Sequence, residues 1–503
     1  MKKLLLFTLI LSVLIILPAC DTGGDPDPDP DPDPDPNPTP TLSSISPTSK
    51  TAHMPAYTLT ATGTNFISSS KIVFDGTEKT TSFVSATSLT CQIDPDDITT
   101  ALSMTQDKAG FPEILDKDVP VLVRTPSPGG GDSSSVDFTI HDNFTFFVPK
   151  NVSNTSGGSY LPDIAVDSSG NINVVWWDND SGNREIYFSR SEDGGSTWSA
   201  LINLSSTSAE SDYPFIALDS LGNISVVWEE GAPPGEIFFR RSTDNGASWS
   251  AAVNISNNSG DSGSPKISVD SSGNINVVWM DNDPGNRDTY FTCSEDNGAT
   301  WSQVKNVSNS TDDSFNPDIA IDNSGNINIV WRENATNFDV YYSRSTNNGG
   351  SWSQVKNISN STSISDFPAI AVDSAGNINV VWVDISTGVW DVLFSRSSNN
   401  GAGWSTAVNI TSNAGNSFQP TIAVDSAGNI NVVWGDDTPG NHDVYFSRSL
   451  DDGSTWTAFL NISNNAGNSY YPAVGVDSTG NINIVWQDYT PGNGEIHFAG
   501  STR

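Results

Sequence analysis

The sequence predicts an all-β protein, a β-sandwich followed by a seven-bladed β-propeller that is closed by a strand from its own N-terminal side. Three observations carry this reading. Val-Val-Trp or Ile-Val-Trp ends at Trp176, Trp228, Trp279, Trp331, Trp382, Trp434 and Trp486, so one unit recurs every 51 or 52 residues. Each unit holds four short runs rich in β-branched and aromatic residues, separated by Gly, Asn and Asp turns. Four short strands per unit match one blade, and seven units of one size fit a radial array better than seven separate domains.

The composition sets limits on function. The chain has 503 residues, 59 acidic against 22 basic side chains and a net charge of −37. Nucleic acid and anionic membrane surfaces both select basic patches, so neither is an expected partner. Three cysteines make no disulfide framework, and four scattered histidines make a His-based zinc site a poor fit.

Residues 1–19 begin Met-Lys-Lys and run apolar from Leu4 to Leu17, too short for a stable span and patterned as an export signal. Leu17-Pro18-Ala19-Cys20 resembles the bacterial lipobox. The resemblance implies a lipid on Cys20 and a place in the bacterial cell envelope. Residues 20–41 then repeat Asp-Pro. Proline at every second position removes amide donors and fixes φ, so the segment reads as an extended spacer. Sixteen such residues span about 50 Å.

Residues 42–141 alternate in the manner of strands: Thr58–Phe66, Lys71–Phe74, Ser88–Ile93, Val119–Val123 and Val136–Ile140. Cys91 lies on one of them and reads as a small buried apolar group. The order of these segments resembles an IPT/TIG domain, which implies an immunoglobulin-like sandwich acting as spacer or adhesion module.

Residues 144–503 carry the repeats. In the fifth unit, Pro368–Asp373, Ile378–Trp382, Asp391–Arg396 and Ser405–Ile410 are the expected strands. The turn before the fourth strand reads Ser-x-Asp-x-Gly-x-x-Trp, with Asp193, Asp244, Asp296 and Asp451 in four copies and Asn347 and Asn399 in two. A short oxygen-bearing side chain accepts hairpin N–H groups, glycine takes positive φ, and tryptophan folds back as a plug. These turns resemble the Asp-box (BNR) repeat of sialidase-like propellers. The seventh unit stops after its third strand, and Phe146–Asn154 aligns with the Trp301–Asn309 fourth-strand segment, so the missing strand is expected from there.

The Asp-boxes are expected at the end opposite the ligand entrance, where their role is structural. At the other end an acid follows each repeat tryptophan by two, and another opens each third strand. Asp178, Asp180, Asp281 and Asp283 form faint calcium-loop patterns, so calcium is a candidate ion, although no cofactor is required. As repeated acids they also read as scaffold, capping loop amides or pairing with the strand-three arginines. Tyr160, Tyr213 and Tyr470, just before the first-strand prolines, and Trp390, at a non-repeated position, are candidate ligand contacts. Arg184, Arg287 and Arg332 fall at the same end. If the sialidase resemblance extended to activity, they would hold a carboxylate. Phe147-Val148-Pro149 stands where that family has Arg-Ile-Pro, and no isolated Tyr-Glu pair stands out. The expected function is non-catalytic binding of a surface glycan or protein by a monomer. The alternative is a sialidase-like glycoside hydrolase.

Overall fold

The computed structural model describes residues 36–51, 57–94, 97, 115–142 and 145–502, apart from Ala232, Pro284, Thr336, Pro439, Ala458 and Pro491. Cys20, the export signal and most of the Asp-Pro repeat lie outside the described residues. So does most of the insert between the Ser88–Ile93 and Leu115–Thr125 strands.

The first unit is a two-sheet sandwich. One sheet orders Thr41–Ser46, Tyr57–Thr64, Ser88–Ile93 and Thr81–Ser85. The other orders Ser49–Thr51, Val136–Asp142, Leu115–Thr125, Lys71–Phe74 and Thr77–Glu78. Alternation along each strand sends Leu59, Ala61, Ile72, Val121, Phe138 and Ile140 into one fully buried core. Cys91 joins that core as a free thiol, and burial pushes it up to about 12. The unit starts earlier than its strand pattern suggests. Asn37 N donates to Pro128 O at 2.6 Å and Gly130 N to Asn37 O at 2.7 Å, so the end of the Asp-Pro segment is already tied to the sandwich.

The second unit contains seven antiparallel sheets. The first is Ser159–Val166, Ile172–Asp178, Glu185–Ser191 and Ile202–Asn203, in that spatial order, and the next five repeat it. Second strands are buried on both faces, which is why their sequences are continuously apolar: all seven repeat tryptophans are 0 % exposed. Fourth strands are shorter than the sequence suggests. In the fifth sheet only Val408–Asn409 pairs in a ladder. It is flanked by single bonds, Ser405 N to Arg396 O at 2.9 Å and Ile410 N to Val392 O at 2.8 Å. Ser405 Oγ caps Arg396 N at 3.0 Å, and that local bond replaces further ladder pairing.

The seventh sheet is composite. Its Ser469–Val476, Ile482–Asp488 and Glu495–Thr502 strands are joined by Thr145–Phe146 and Lys150–Asn151, which pair with Ser501–Thr502 and His497–Phe498. Val152 N donates to Ile496 O at 2.7 Å, and Ser153 Oγ meets Glu495 Oε2 at 2.5 Å. First strands of consecutive sheets pack side by side, and contacts return from the seventh sheet to the first: Ser159–Val166 lies against Ser469–Val476 and Ile482–Asp488. One core cluster holds Val152, Ile164, Trp176, Val485, Ile496 and Phe498 together.

The Asp-box turns fasten neighbouring sheets. Ser191 Oγ receives Gly195 N at 2.8 Å, and Asp193 receives Thr197 N and Thr197 Oγ1 at 2.7 Å each. These donors hold the Asp193 carboxyl down at about 2. Asn347 and Asn399 keep the acceptor role towards Ser351 N and Gly403 N. The glycine of each turn lies flat on a third-strand ring of the preceding sheet, and the tryptophan meets that ring edge-on. Trp249 packs on Phe188 at 5.2 Å and Trp456 on Phe394 at 5.2 Å, while Trp198 of the first sheet packs on Phe498 of the seventh at 5.4 Å.

Candidate functional site

At the end of the sheets where first strands begin and second strands finish, every first strand carries a one-residue bulge. Pairing skips between Tyr160 and Asp163, and likewise at the same place in the other six. The bulged residue adopts φ between 47° and 51° in all seven sheets and precedes a proline. Left-handed backbone costs about 1–2 kcal/mol for a side chain with a Cβ. Yet Tyr213, Phe367 and Tyr471 occupy it, and they remain 40 %, 39 % and 39 % exposed.

The acids repeated at this end are scaffold. Asp178 is fully buried and receives Ser159 Oγ at 2.6 Å, Thr155 Oγ1 at 2.8 Å and Asp180 N at 2.7 Å. Asp281 receives Ser262 Oγ at 2.6 Å, Asn258 Nδ2 at 2.7 Å, Trp279 Nε1 at 3.1 Å and Asp283 N at 2.8 Å. Asp180 and Asp283 bond to Ser156 and Ser259. Among the described residues no group of three or more His, Cys, Asp or Glu side chains is placed to hold a metal ion. The acids that open third strands hold the segment after the fourth strand, as Asp443 holds Ser463 Oγ at 2.7 Å. The strand-three arginines pair elsewhere, with aspartates of the first-to-second turns at the far end. Arg190 meets Asp167 at 2.9 Å and Arg448 meets Asp425 at 2.6 Å, both pairs buried.

Once the scaffold is set aside, four positions per sheet differ from sheet to sheet. They are the two residues before each first-strand proline, the residue after each repeat tryptophan, and the residue before each third strand. Their side chains sort into two regions. Around the sixth, seventh and first sheets, rings run in series: Phe418 to His442 at 5.3 Å, His442 to Tyr470 at 4.7 Å, Tyr470 to Tyr489 at 6.0 Å, Tyr489 to Tyr160 at 6.3 Å and Tyr160 to Trp177 at 4.2 Å. All are half-buried. Gly494 makes room for Tyr160, since a Cβ there would stand 2.9 Å from its Cε1.

Around the first to fifth sheets, arginines and acids alternate. Arg184 lies over Trp177 at 5.0 Å and meets Asp212 at 2.7 Å. Arg287 stands 3.8 Å from Asp261. Arg332 pairs with Asp366, and both Arg287 and Arg332 face Phe315, at 5.7 and 4.5 Å. Glu229, on the second sheet, has Arg184, Asp212 and Asp261 as its charged neighbours. Its Oε2 is 3.4 Å from Ser264 N, and side chains at Gly235 or Gly263 would crowd its carboxylate, with Cβ contacts of 3.3 and 2.7 Å. Burial, with the charges of Asp212 and Asp261, pushes Glu229 up to about 7. One residue beyond the prolines, Lys266 lies 3.8 Å from the Phe215 ring centroid. Asp163 receives Ile216 N of the neighbouring sheet at 2.9 Å, and burial raises its carboxyl to about 6.

A carboxyl raised on folding binds its proton more tightly folded than unfolded, so it withdraws stability as pH rises from about 4.5 to about 7. Glu229→Gln is therefore expected to melt higher than the parent at pH 8 and level with it at pH 4. An equal difference at both pH values would show that Glu229 carries no such shift.

Of the sequence-derived candidates, Tyr160 and Tyr470 join the ring series, and Tyr213 is exposed on the second sheet. Trp390 instead packs half-buried on the core shared by the fifth and sixth sheets. Arg287 and Arg332 come together over one ring, whereas Arg184 lies apart with Trp177 and Asp212. Sequence reasoning missed Glu229, Asp212 and Trp177. Their signal was available: Glu229 is the one carboxylate directly after a repeat tryptophan, and two glycines stand at the neighbouring variable positions.

Residues 40–140 match the IPT/TIG domain, and residues 303–500 match a BNR repeat-containing family member. No curated protein matches the chain. Among solved structures, a polysaccharide lyase of family PL25, an ulvan lyase, superposes with TM-score 0.51 at 12 % identity, covering 69 % of this chain and 95 % of its own. The intramolecular trans-sialidase of Ruminococcus gnavus reaches TM-score 0.42 at 13 % identity, covering 68 % and 94 %. A Hadza microbial sialidase reaches 0.45 at 14 % identity, covering 83 % and 77 %. The elements named among the described residues are strands, in an IPT/TIG immunoglobulin-like domain and a BNR-repeat region.

Proposed function

We propose that the seven sheets are the blades of one propeller, sealed by Lys150–Asn151, and that the end carrying the bulges is the mouth of a non-catalytic glycan-binding module. The return of contacts from the seventh sheet to the first supports the ring. The observation that carries the binding reading is the series of six half-buried rings at this end, drawn mostly from positions free of scaffold duty. Aromatic faces accept the apolar faces of sugar rings, and the polar groups alongside serve sugar hydroxyls. On glycan arrays, Tyr160→Ala and Trp177→Ala are each expected to weaken binding about fivefold, in line with roughly 1 kcal/mol per lost stacking contact. Binding to a protein partner with no response to any glycan would reject the reading.

Glu229 favours a second reading, proton transfer at a glycosidic bond. A carboxyl that titrates near 7 suits that chemistry. Turnover of a glycan that disappears in Glu229→Gln would establish it.

The address follows from the N-terminal residues. We place the mature chain on a bacterial envelope, held by a lipid on Cys20. Labelled palmitate entering the parent but not Cys20→Ser would support this, and equal labelling would refute it.

A further inference from the structure

We infer that the glycan accepted at this mouth is uncharged, an inference that rests on the glycan-binding reading above. An acidic sugar needs a guanidinium free to present two N–H donors to its carboxylate or sulfate. Three arginines stand at the mouth, and each already faces an acid. Arg332 is paired with Asp366, their side chains only 17 % and 12 % exposed. Arg184 has Asp212 at 2.7 Å and Glu210 at 3.6 Å. Arg287 has the longest contact, 3.8 Å to Asp261.

The flat faces are occupied too. Arg332 is stacked between Phe315 and Phe338, at 4.5 and 4.4 Å, and Arg184 lies on Trp177. An incoming anion would have to displace an aspartate from Arg184 and from Arg332, and would meet the Asp261 carboxylate beside Arg287. At Arg332 that would leave a buried carboxylate unpaired, which is strongly unfavourable.

A cationic sugar gains little more. The aspartates are already compensated, and the remaining acid, Glu229, is held toward its neutral form by burial, helped by Asp212 and Asp261. What remains is a set of rings edged by dipoles and by one carboxyl able to donate or accept a hydrogen bond. That suits hydroxyl-bearing sugars without formal charge.

The test is affinity electrophoresis and biolayer interferometry on the full chain. The probes are uncharged arabinan, galactan and xyloglucan, acidic 3′-sialyllactose, polygalacturonate and heparin, and cationic chitosan oligomers. The expected result is retention by at least one uncharged probe and by none of the charged ones. Asp212→Asn and Asp366→Asn each release an arginine. At least one of them is expected to gain tenfold or more in affinity for an acidic probe while melting within a few degrees of the parent.

Parent protein that binds an acidic or cationic probe as tightly as every uncharged one overturns the inference while leaving glycan binding intact. Folded Asp212→Asn and Asp366→Asn that both fail to gain overturn the argument that the paired acids set the preference. Parent protein that ignores every probe overturns the glycan-binding reading itself.

Discussion

Val152→Asp is expected to remove about 3–5 kcal/mol of unfolding free energy, the cost of placing an unpaired charge in a packed interior. Val152 is 5 % exposed and touches the cluster that also holds Ile164 and Trp176 of the first sheet and Ile496 and Phe498 of the seventh. Its amide also closes the seventh sheet through Ile496 O. The matched control is Val148→Asp, four residues earlier, where the side chain is 85 % exposed and the change should fall within about 0.5 kcal/mol. Urea unfolding midpoints of the two variants separate a sealed array from an open one. Equal midpoints would mean that this segment adds nothing to the fold, and the ring proposed above would lose its support.

Gly195→Ala should cost about 3 kcal/mol or more, whereas its neighbour Gly194→Ala should cost about 1 kcal/mol. Both glycines have positive φ, +83° and +66°, so backbone strain alone does not distinguish them. The difference is what a methyl group would meet. At Gly194 nothing lies within 4 Å, but at Gly195 the Phe498 ring stands 2.0 Å away. Phe498 is 2 % exposed and held edge-on by Trp198, so it has nowhere to go. At the position of Gly194 the other turns carry Asn245, Asn297, Asn348, Asn400 and Asp452, all with positive φ, so Gly194→Asn should be nearly neutral. Similar losses for the two alanine variants would show that strain, and not the contact with Phe498, is what conserves stability here.

Much of this was legible in the amino-acid order because a repeat exposes its own rules. Seven tryptophans at one spacing mark the buried second strands, and the Ser-x-Asp-x-Gly-x-x-Trp turns announce their hydrogen bonds before any coordinates. The segment around Val152 was readable for the same reason: Ser153 stands to Glu495 as Ser463 stands to Asp443. The end that carries the bulges was harder. Acids recurring after every repeat tryptophan draw attention by their number, yet the five aspartates among them bond the serines that begin first strands, a pairing visible only across two strands. Trp390 was singled out because its position is not repeated. In the fold it is half-buried against the cluster that holds Val383 and Val392, a contact that its position in the repeat does not announce. Glu229 went unnoticed because its importance comes from two absences, the side chains that Gly235 and Gly263 lack.

The composite last sheet has a consequence for the order of folding. Six interfaces join sheets that follow one another along the chain, so each closes only a short loop as it forms. The seventh joins residues 342 apart, Ser153 and Glu495. Its loop-closure entropy must be met before any contact repays it, which makes docking of the two ends the late, slow event. Until then the first sheet keeps an apolar flank bare and the last an unpaired edge. The folding protein is therefore most prone to stick to its neighbours just before its two ends dock.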